Sequence, residues 1–143
     1  MDYKLELVLI PVSDVNRAKK FYLEQAGFVL IVDTPIGEGK RVVQLTPPGS
    51  ECAIGFGTGL TSAPPGAAQG LHLVVSDILA ARAELIERGL AVSGVRHLES
   101  GTWVDGPHPE RDNYQSFADF SDPDGNIWIL QEVDRSKTDH GSH

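Results

Sequence analysis

Cysteine, methionine and tryptophan are nearly absent from this chain, which has one, one and two of them among 143 residues. A lone thiol, Cys52, cannot close an internal disulfide, so the fold must rest on core packing, in keeping with a reducing compartment. Basic side chains are scarce as well: twelve against twenty acidic ones leave a formal charge of −8. That sign repels phosphate backbones, and no basic cluster offsets it locally, so nucleic acid is not an expected partner. No apolar run approaches the ~20 residues that span a bilayer. No secretory leader is read at the start of the chain. Membrane partners are therefore not expected, and the expected location is the cytoplasm. What remains is a 41% hydrophobic chain of a length that suits one globular domain with its own core.

What is present is repetition. Residues 8–26 and 71–89 each read as an apolar strand ending in Val-Ser-Asp and followed by an amphipathic helix. They match at Val12/Val75, Ser13/Ser76, Asp14/Asp77, Ala18/Ala81 and Glu24/Glu87. Like units bury like faces, so the repeat constrains the fold more than any single residue does. The copies also differ, with Leu9 in the first standing where the second has His72.

In the first copy a strand over 5–12 precedes a helix capped by Asp14, with Val15, Ala18, Phe21 and Tyr22 on its inner face. Strands are expected over 28–32, 42–46 and 52–56, the last two separated by the turn Pro47-Pro48-Gly49-Ser50. The second copy runs as a strand over 71–75, a helix capped by Asp77 with Ile78, Ala81 and Leu85 inward, and strands over 92–95, 117–120 and 127–133. Asp122-Pro123-Asp124-Gly125-Asn126 is a turn by composition. Residues 1–133 thus read as one domain made of a module over 5–56, a linker over 57–69 and a module over 70–133. Residues 134–143 read as a loose tail, whose His140 and His143 are set aside.

Two β-α-β-β-β units in tandem, with Val12-Ser13-Asp14, Arg17-Ala18, Phe21-Tyr22 and the Asp122–Asn126 turn, resemble the vicinal oxygen chelate superfamily. That group contains glyoxalase I, bleomycin-resistance proteins, extradiol dioxygenases and fosfomycin-resistance enzymes. The resemblance implies an α+β fold of tandem βαβββ modules, forming a curled, incompletely closed mixed-sheet barrel around a ligand cavity. It also implies a homodimer. Members that use a metal take one ligand, His or Glu, from each of four strands; the corresponding positions here are Leu7, Gly55, Gly70 and Ile129. Those side chains offer no oxygen, nitrogen or sulfur to a cation. No metal and no other cofactor is expected.

Alternation along a strand puts residues two apart on one face. His72, two past Gly70, and Gln131, two past Ile129, are therefore expected to face the ligand, and Gln44 joins them if it keeps the parity of Val42. Glu132 has the opposite parity and is expected to turn outward. The long connection 96–114 is a candidate lid, in which Trp103 and Tyr114 are positioned to cover an apolar ligand, and Trp103, a large aromatic between Gly101-Thr102 and Val104, is expected to be buried. His97, His108 and Arg111 read as ordinary loop residues. Ligand contacts are thus assigned to Gln44, His72, Trp103, Tyr114 and Gln131, with His72 the one catalytic candidate. Either His72 is a hydrogen-bonded core residue, Gln131 being a natural partner, or it meets the ligand.

Four functions fit. The first is metal-independent binding of a small organic molecule, by sequestration or carriage as in the bleomycin-resistance proteins. The second is a metal-free isomerase or lyase with His72 as acid or base. The third is a glyoxalase-I-like divalent-metal lyase with displaced ligands, which needs His97 or His108 beside His72. The fourth is a scaffold without a small ligand.

Overall fold

The computed structural model describes residues 1–136. The chain forms β1 (Leu7–Leu9), α1 (Val15–Lys20) running into a π-helical turn (Phe21–Gln25), β2 (Val29–Gly37), β3 (Lys40–Thr46) and β4 (Ala53–Gly57). There follow β5 (Gln69–Val75), α2 (Ile78–Glu87), β6 (Arg96–Glu99), β7 (Thr102–Asp105), β8 (Ser116–Ser121) and β9 (Ile127–Glu132). Two helices and two mixed sheets make an α+β fold in which neither sheet closes into a barrel. The chain divides into two compact units: Met1–Gln69 with Asp122–Asn126, and Gly70–Ser121 with the chain from Ile127 on.

The first sheet has the order β1-β4-β3-β2, with β1 parallel to β4 and the other pairs antiparallel. Asp14 caps α1 by accepting the Arg17 N–H at 3.0 Å, as its place before the apolar repeat predicts. The π-helical turn lets the adjacent Phe21 and Tyr22 both reach the core, edge to face at 5.0 Å. Tyr22, fully buried, also packs on Phe28 and Phe56. Asn16 and Lys19 of α1 reach Arg41 and Asp33, so one face of the sheet, carrying Asp33, Arg41, Val43, Leu45 and Phe56, lies under α1. Hydrogen bonds from Arg41 and Lys19 hold the Asp33 carboxyl well below the usual carboxylate range.

The turn Asp122–Asn126 is more than a turn. Asp122 is buried and accepts the Tyr22 hydroxyl at 2.8 Å, the Asn126 side-chain amide at 2.8 Å, and the backbone N–H groups of Asp124 and Asn126. Asn126 donates onward to the Pro11 carbonyl and accepts from the Ala68 N–H. Asp124 accepts from Ser13 and Arg17. Composition accounts for the bend and not for this latch.

The second sheet has the order β5-β9-β8-β6-β7. Its α2 is capped by Asp77, which accepts from Leu79 and Ala80. Ile78 is buried as expected, whereas Ala81 and Leu85 are half-buried. Three expectations need correction here. Residues 92–95 are irregular, because the strand begins at Arg96. The connection 96–114 contains an antiparallel β6–β7 hairpin, turned by Ser100 and Gly101 at φ 49° and 79°. Glu132 does not turn outward; it is 1% exposed. Parity does place it opposite Gln131, but that face lies beneath α2, where its carboxylate accepts the Ile78 N–H at 2.9 Å and a two-pronged bond from Arg111. The loose tail expected over 134–143 lies outside the described residues from 137 on; Asp134 and Arg135 are tied to Asn113 and Tyr114.

Candidate functional site

In the first unit, the face turned away from α1 carries Leu7, Leu9, Ala53, Gly55, Gly57, Val42, Gln44, Val32 and Thr34, by the register of the strands. No charged side chain stands among them. Gln44 keeps the parity of Val42 and lies opposite Gly55, its Cγ 3.6 Å from where a Cβ at that glycine would be. Its amide has no hydrogen-bond partner among the described residues and is not sealed from solvent. Beyond Leu9, Gly55 and Gly57 the face runs into a hollow of about 190 Å³, walled by Leu60, Thr61, Ala63 and Pro65.

In the second unit, the face turned away from α2 carries Gln131 opposite Phe117, Ile129 opposite Asp119, and Arg96 beside Phe117. Gly70 lies near Ile129, so His72, two residues on, shares that face. Four of the expected contact residues fall in this unit and Gln44 in the other. His72 is exposed, not a core residue. Its Nδ1 lies 2.7 Å from the Gly70 carbonyl, which can only accept; Nδ1 therefore carries the proton and Nε2 presents a lone pair. Gln131 does not pair with it and instead donates to the Tyr114 carbonyl at 3.2 Å. Tyr114 sits at φ 70°, with its hydroxyl accepting from Arg135.

Trp103, expected to be buried, is 50% exposed. It stands on β7, edge-on to Phe117 at 5.7 Å, with the Arg96 guanidinium 4.9 Å over its ring. Arg96 is held there by Asp119 at 2.8 Å. Sequence reasoning missed Arg96, Phe117 and Asp119. The signal was present in the alternation Phe117-Ala118-Asp119-Phe120, but β6 was placed four residues early, which hid the row. Of the three residues expected to be ordinary loop residues, Arg111 instead ties the connection to Glu132 of β9 and to Asp77 at the start of α2. His97 is buried, its Nδ1 donating to the Gly106 carbonyl and its Nε2 facing Glu99, and these two contacts raise its pKa. His108 Nδ1 accepts the N–H groups of Glu110 and Asp112.

The four positions that the resemblance marks as those of a metal's ligands converge in pairs. A Cβ at Gly55 would stand 3.1 Å from Leu7 Cδ1, and one at Gly70 would stand 4.0 Å from Ile129 Cδ1. In each unit a hydrocarbon side chain lies over a glycine. Such a donor set does not fit a divalent ion, and among the described residues no group of three or more His, Cys, Asp or Glu could hold one. His97 lies on the α2 side of its sheet, paired with Ser116, and does not join His72.

A family model described as the glyoxalase/bleomycin resistance protein/dioxygenase superfamily matches residues 4–130. TnmS3, an antibiotic binding protein from Streptomyces sp. CB03234, has a crystal structure similar to this chain: 35% identity, 92% of this chain and 96% of that one covered, TM-score 0.70. A glyoxalase/bleomycin resistance protein from the same organism is 36% identical over 90% of this chain and 99% of that one, with a TM-score of 0.68. The uncharacterized protein YetH of Bacillus subtilis (strain 168) is 25% identical over 127 residues, covering 87% of this chain and 94% of its own length.

Proposed function

The chain belongs to the glyoxalase/bleomycin resistance protein/dioxygenase superfamily, and we propose that within it this protein binds a small organic molecule without a metal, sequestering or carrying it. A family holding both metalloenzymes and binders fixes no activity, so the site must carry the reading. The observation that carries it is the donor set: hydrocarbon over glycine at both converging pairs, beside side chains suited to hold an organic ligand. Those side chains are Gln44 in the first unit and Trp103, Gln131 and His72 in the second, with Tyr114 beside Gln131. Half-exposed aromatic surface edged by hydrogen-bonding groups is what small-molecule sites are built from. Similarity to an antibiotic binding protein supports the same reading. A cytoplasmic homodimer is part of the proposal.

The test is the content of protein purified without chelator or histidine tag. Less than about a tenth of an equivalent of any divalent ion per chain is expected, with an organic molecule carried into native mass spectrometry. Close to one equivalent of metal, removed by chelation together with activity, would overturn it.

A second reading rests on His72 alone. With Nδ1–H fixed by the Gly70 carbonyl, Nε2 is a ready proton acceptor, which supports a metal-free isomerase or lyase. His72→Ala is expected to weaken ligand binding, or abolish turnover where there is any, and to change stability by less than about 0.5 kcal/mol because the side chain is exposed. Unfolding of that variant with unaltered binding would make His72 structural.

A further inference from the structure

We propose that the β6–β7 end of the second unit's sheet takes a cationic aromatic part of the ligand, its ring against Trp103 and its charged nitrogen against Asp105. This rests on the small-molecule reading and names the class of ligand. Register sets the two residues together. Arg96 pairs with Asp105 and Leu98 with Trp103, so all four side chains stand on the face turned away from α2. Trp103 and Asp105 are two apart on β7, roughly 7 Å along the strand. Trp103 and Leu98 are 50% and 45% exposed, and Phe117 meets the indole at 5.7 Å. Half-exposed apolar side chains set side by side give a planar ring a surface to lie on.

The charge on this platform is one carboxylate in surplus. The Arg96 guanidinium is committed: Nη2 donates to Asp119 at 2.8 Å, Nη1 donates to the Ser93 hydroxyl at 3.2 Å, and the group lies 4.9 Å over the Trp103 ring. That bond neutralises Asp119. Asp105 is exposed and has no hydrogen bond or ion pair among the described residues. Turn chemistry does not employ it either. An Asp in a turn ordinarily bonds the backbone N–H two residues on, and that residue here is Pro107, which has none. A ligand anion would meet a free carboxylate beside a guanidinium already paired. A ligand cation meets a counter-charge and an indole together. The chain's charge of −8 steers the same sign of ligand toward it.

The experiment titrates three probes of one framework into the intact chain by calorimetry at pH 7: 1-naphthylmethylammonium, 1-naphthalenemethanol and 1-naphthaleneacetate. The cation is expected to bind about three- to tenfold more tightly than the alcohol, and at least about tenfold more tightly than the acetate. Asp105→Asn, a change at an exposed position that bonds nothing, should lower the cation's affinity by about three- to fivefold and leave the alcohol's within about 1.5-fold. Trp103→Ala should weaken both by at least about fivefold, and Trp103→Phe should restore part of that loss. An acetate that binds as tightly as the cation overturns the inference. So does a lead of the cation over the alcohol that is unchanged in Asp105→Asn. Binding of the cation that survives Trp103→Ala overturns it too, and leaves the small-molecule reading standing. If none of the three probes binds, this inference falls, and the organic molecule sought by native mass spectrometry decides the broader reading separately.

Discussion

Replacing Glu132 by Gln tests the reading of the last strand at a single atom. The carboxylate is 1% exposed, and both of its oxygens face donors. Arg111 Nε reaches Oε1 at 2.8 Å, while Arg111 Nη2 and the Ile78 N–H reach Oε2. An amide in the same place must set its own NH₂ against one of these donors, whichever way it turns. At least one charge-assisted bond is lost, worth about 1.5–3 kcal/mol, and the guanidinium loses its neutralising charge. Breaking a sealed ion pair costs about 3–5 kcal/mol. Arg111 retains 32% side-chain exposure and a second partner in Asp77, so the expected loss is about 2–4 kcal/mol, below the upper end of that range. Urea unfolding at pH 7 reads this as a midpoint lowered by about 1–2 M. Arg111→Gln should cost less on the Glu132→Gln background than alone, since the pair is already broken. Ligand affinity should not change, because Glu132 faces α2 and Gln131 faces the other way. A loss below about 0.5 kcal/mol, or a stable variant that no longer binds, would refute the assigned face.

Asp122→Ala should be among the most damaging single changes, at about 3–5 kcal/mol, because it removes at a buried position the hydrogen bonds accepted from the Tyr22 hydroxyl, the Asn126 amide and two backbone N–H groups. Tyr22→Phe removes one of those bonds and should cost about 1 kcal/mol; equal costs for the two variants would show that no latch exists. For His97 the sign follows from a raised pKa: the folded state favours the imidazolium, so its contribution is fully present below the ordinary value of 6.5 and fades as pH rises through the higher folded value. Thermal unfolding of the unaltered chain should therefore carry a component that declines above pH 6.5, weaker in Glu99→Gln, and its persistence unchanged in His97→Gln would assign it elsewhere.

How far the sequence carried depended on whether a side chain answered to its neighbours along the chain or to a distant surface. Asp14 and Asp77 were legible because capping is local, and Val42, Gln44 and Gln131 because alternation is local. Glu132 was misjudged because alternation tells which face a residue takes but not whether a helix covers that face. Trp103 was expected to be buried because it is large. A β-hairpin that ends its sheet leaves it half-covered, with Phe117 at its edge and Arg96 over its ring. The turn Asp122–Asn126 was legible as a bend, while one of the four hydrogen bonds that Asp122 accepts comes from Tyr22, which lies 100 residues away along the chain.

On the proposed metal-free reading, the repeat accounts for the form the site takes. Leu7 and Gly70 occupy matching places in the two copies, and so do Gly55 and Ile129, yet the large residue falls on the first strand of one unit and the last strand of the other. A metal site constrains every such position to a donor, since each lost ligand removes a large share of the affinity. An apolar binding face imposes a weaker rule: each pair must present hydrocarbon and leave no unpaired polar atom, and either member can supply the bulk. Two copies that satisfy the same rule in opposite ways are what that weaker constraint produces. Exchanging the members of the first pair, Leu7→Gly with Gly55→Leu, should on this argument be tolerated far better than either change alone. Gly55→Leu by itself forces a side chain into Leu7 at a 3.1 Å approach, and Leu7→Gly by itself opens a void. Urea midpoints for the three variants decide it, and strictly additive losses would show that the two positions do not share one space.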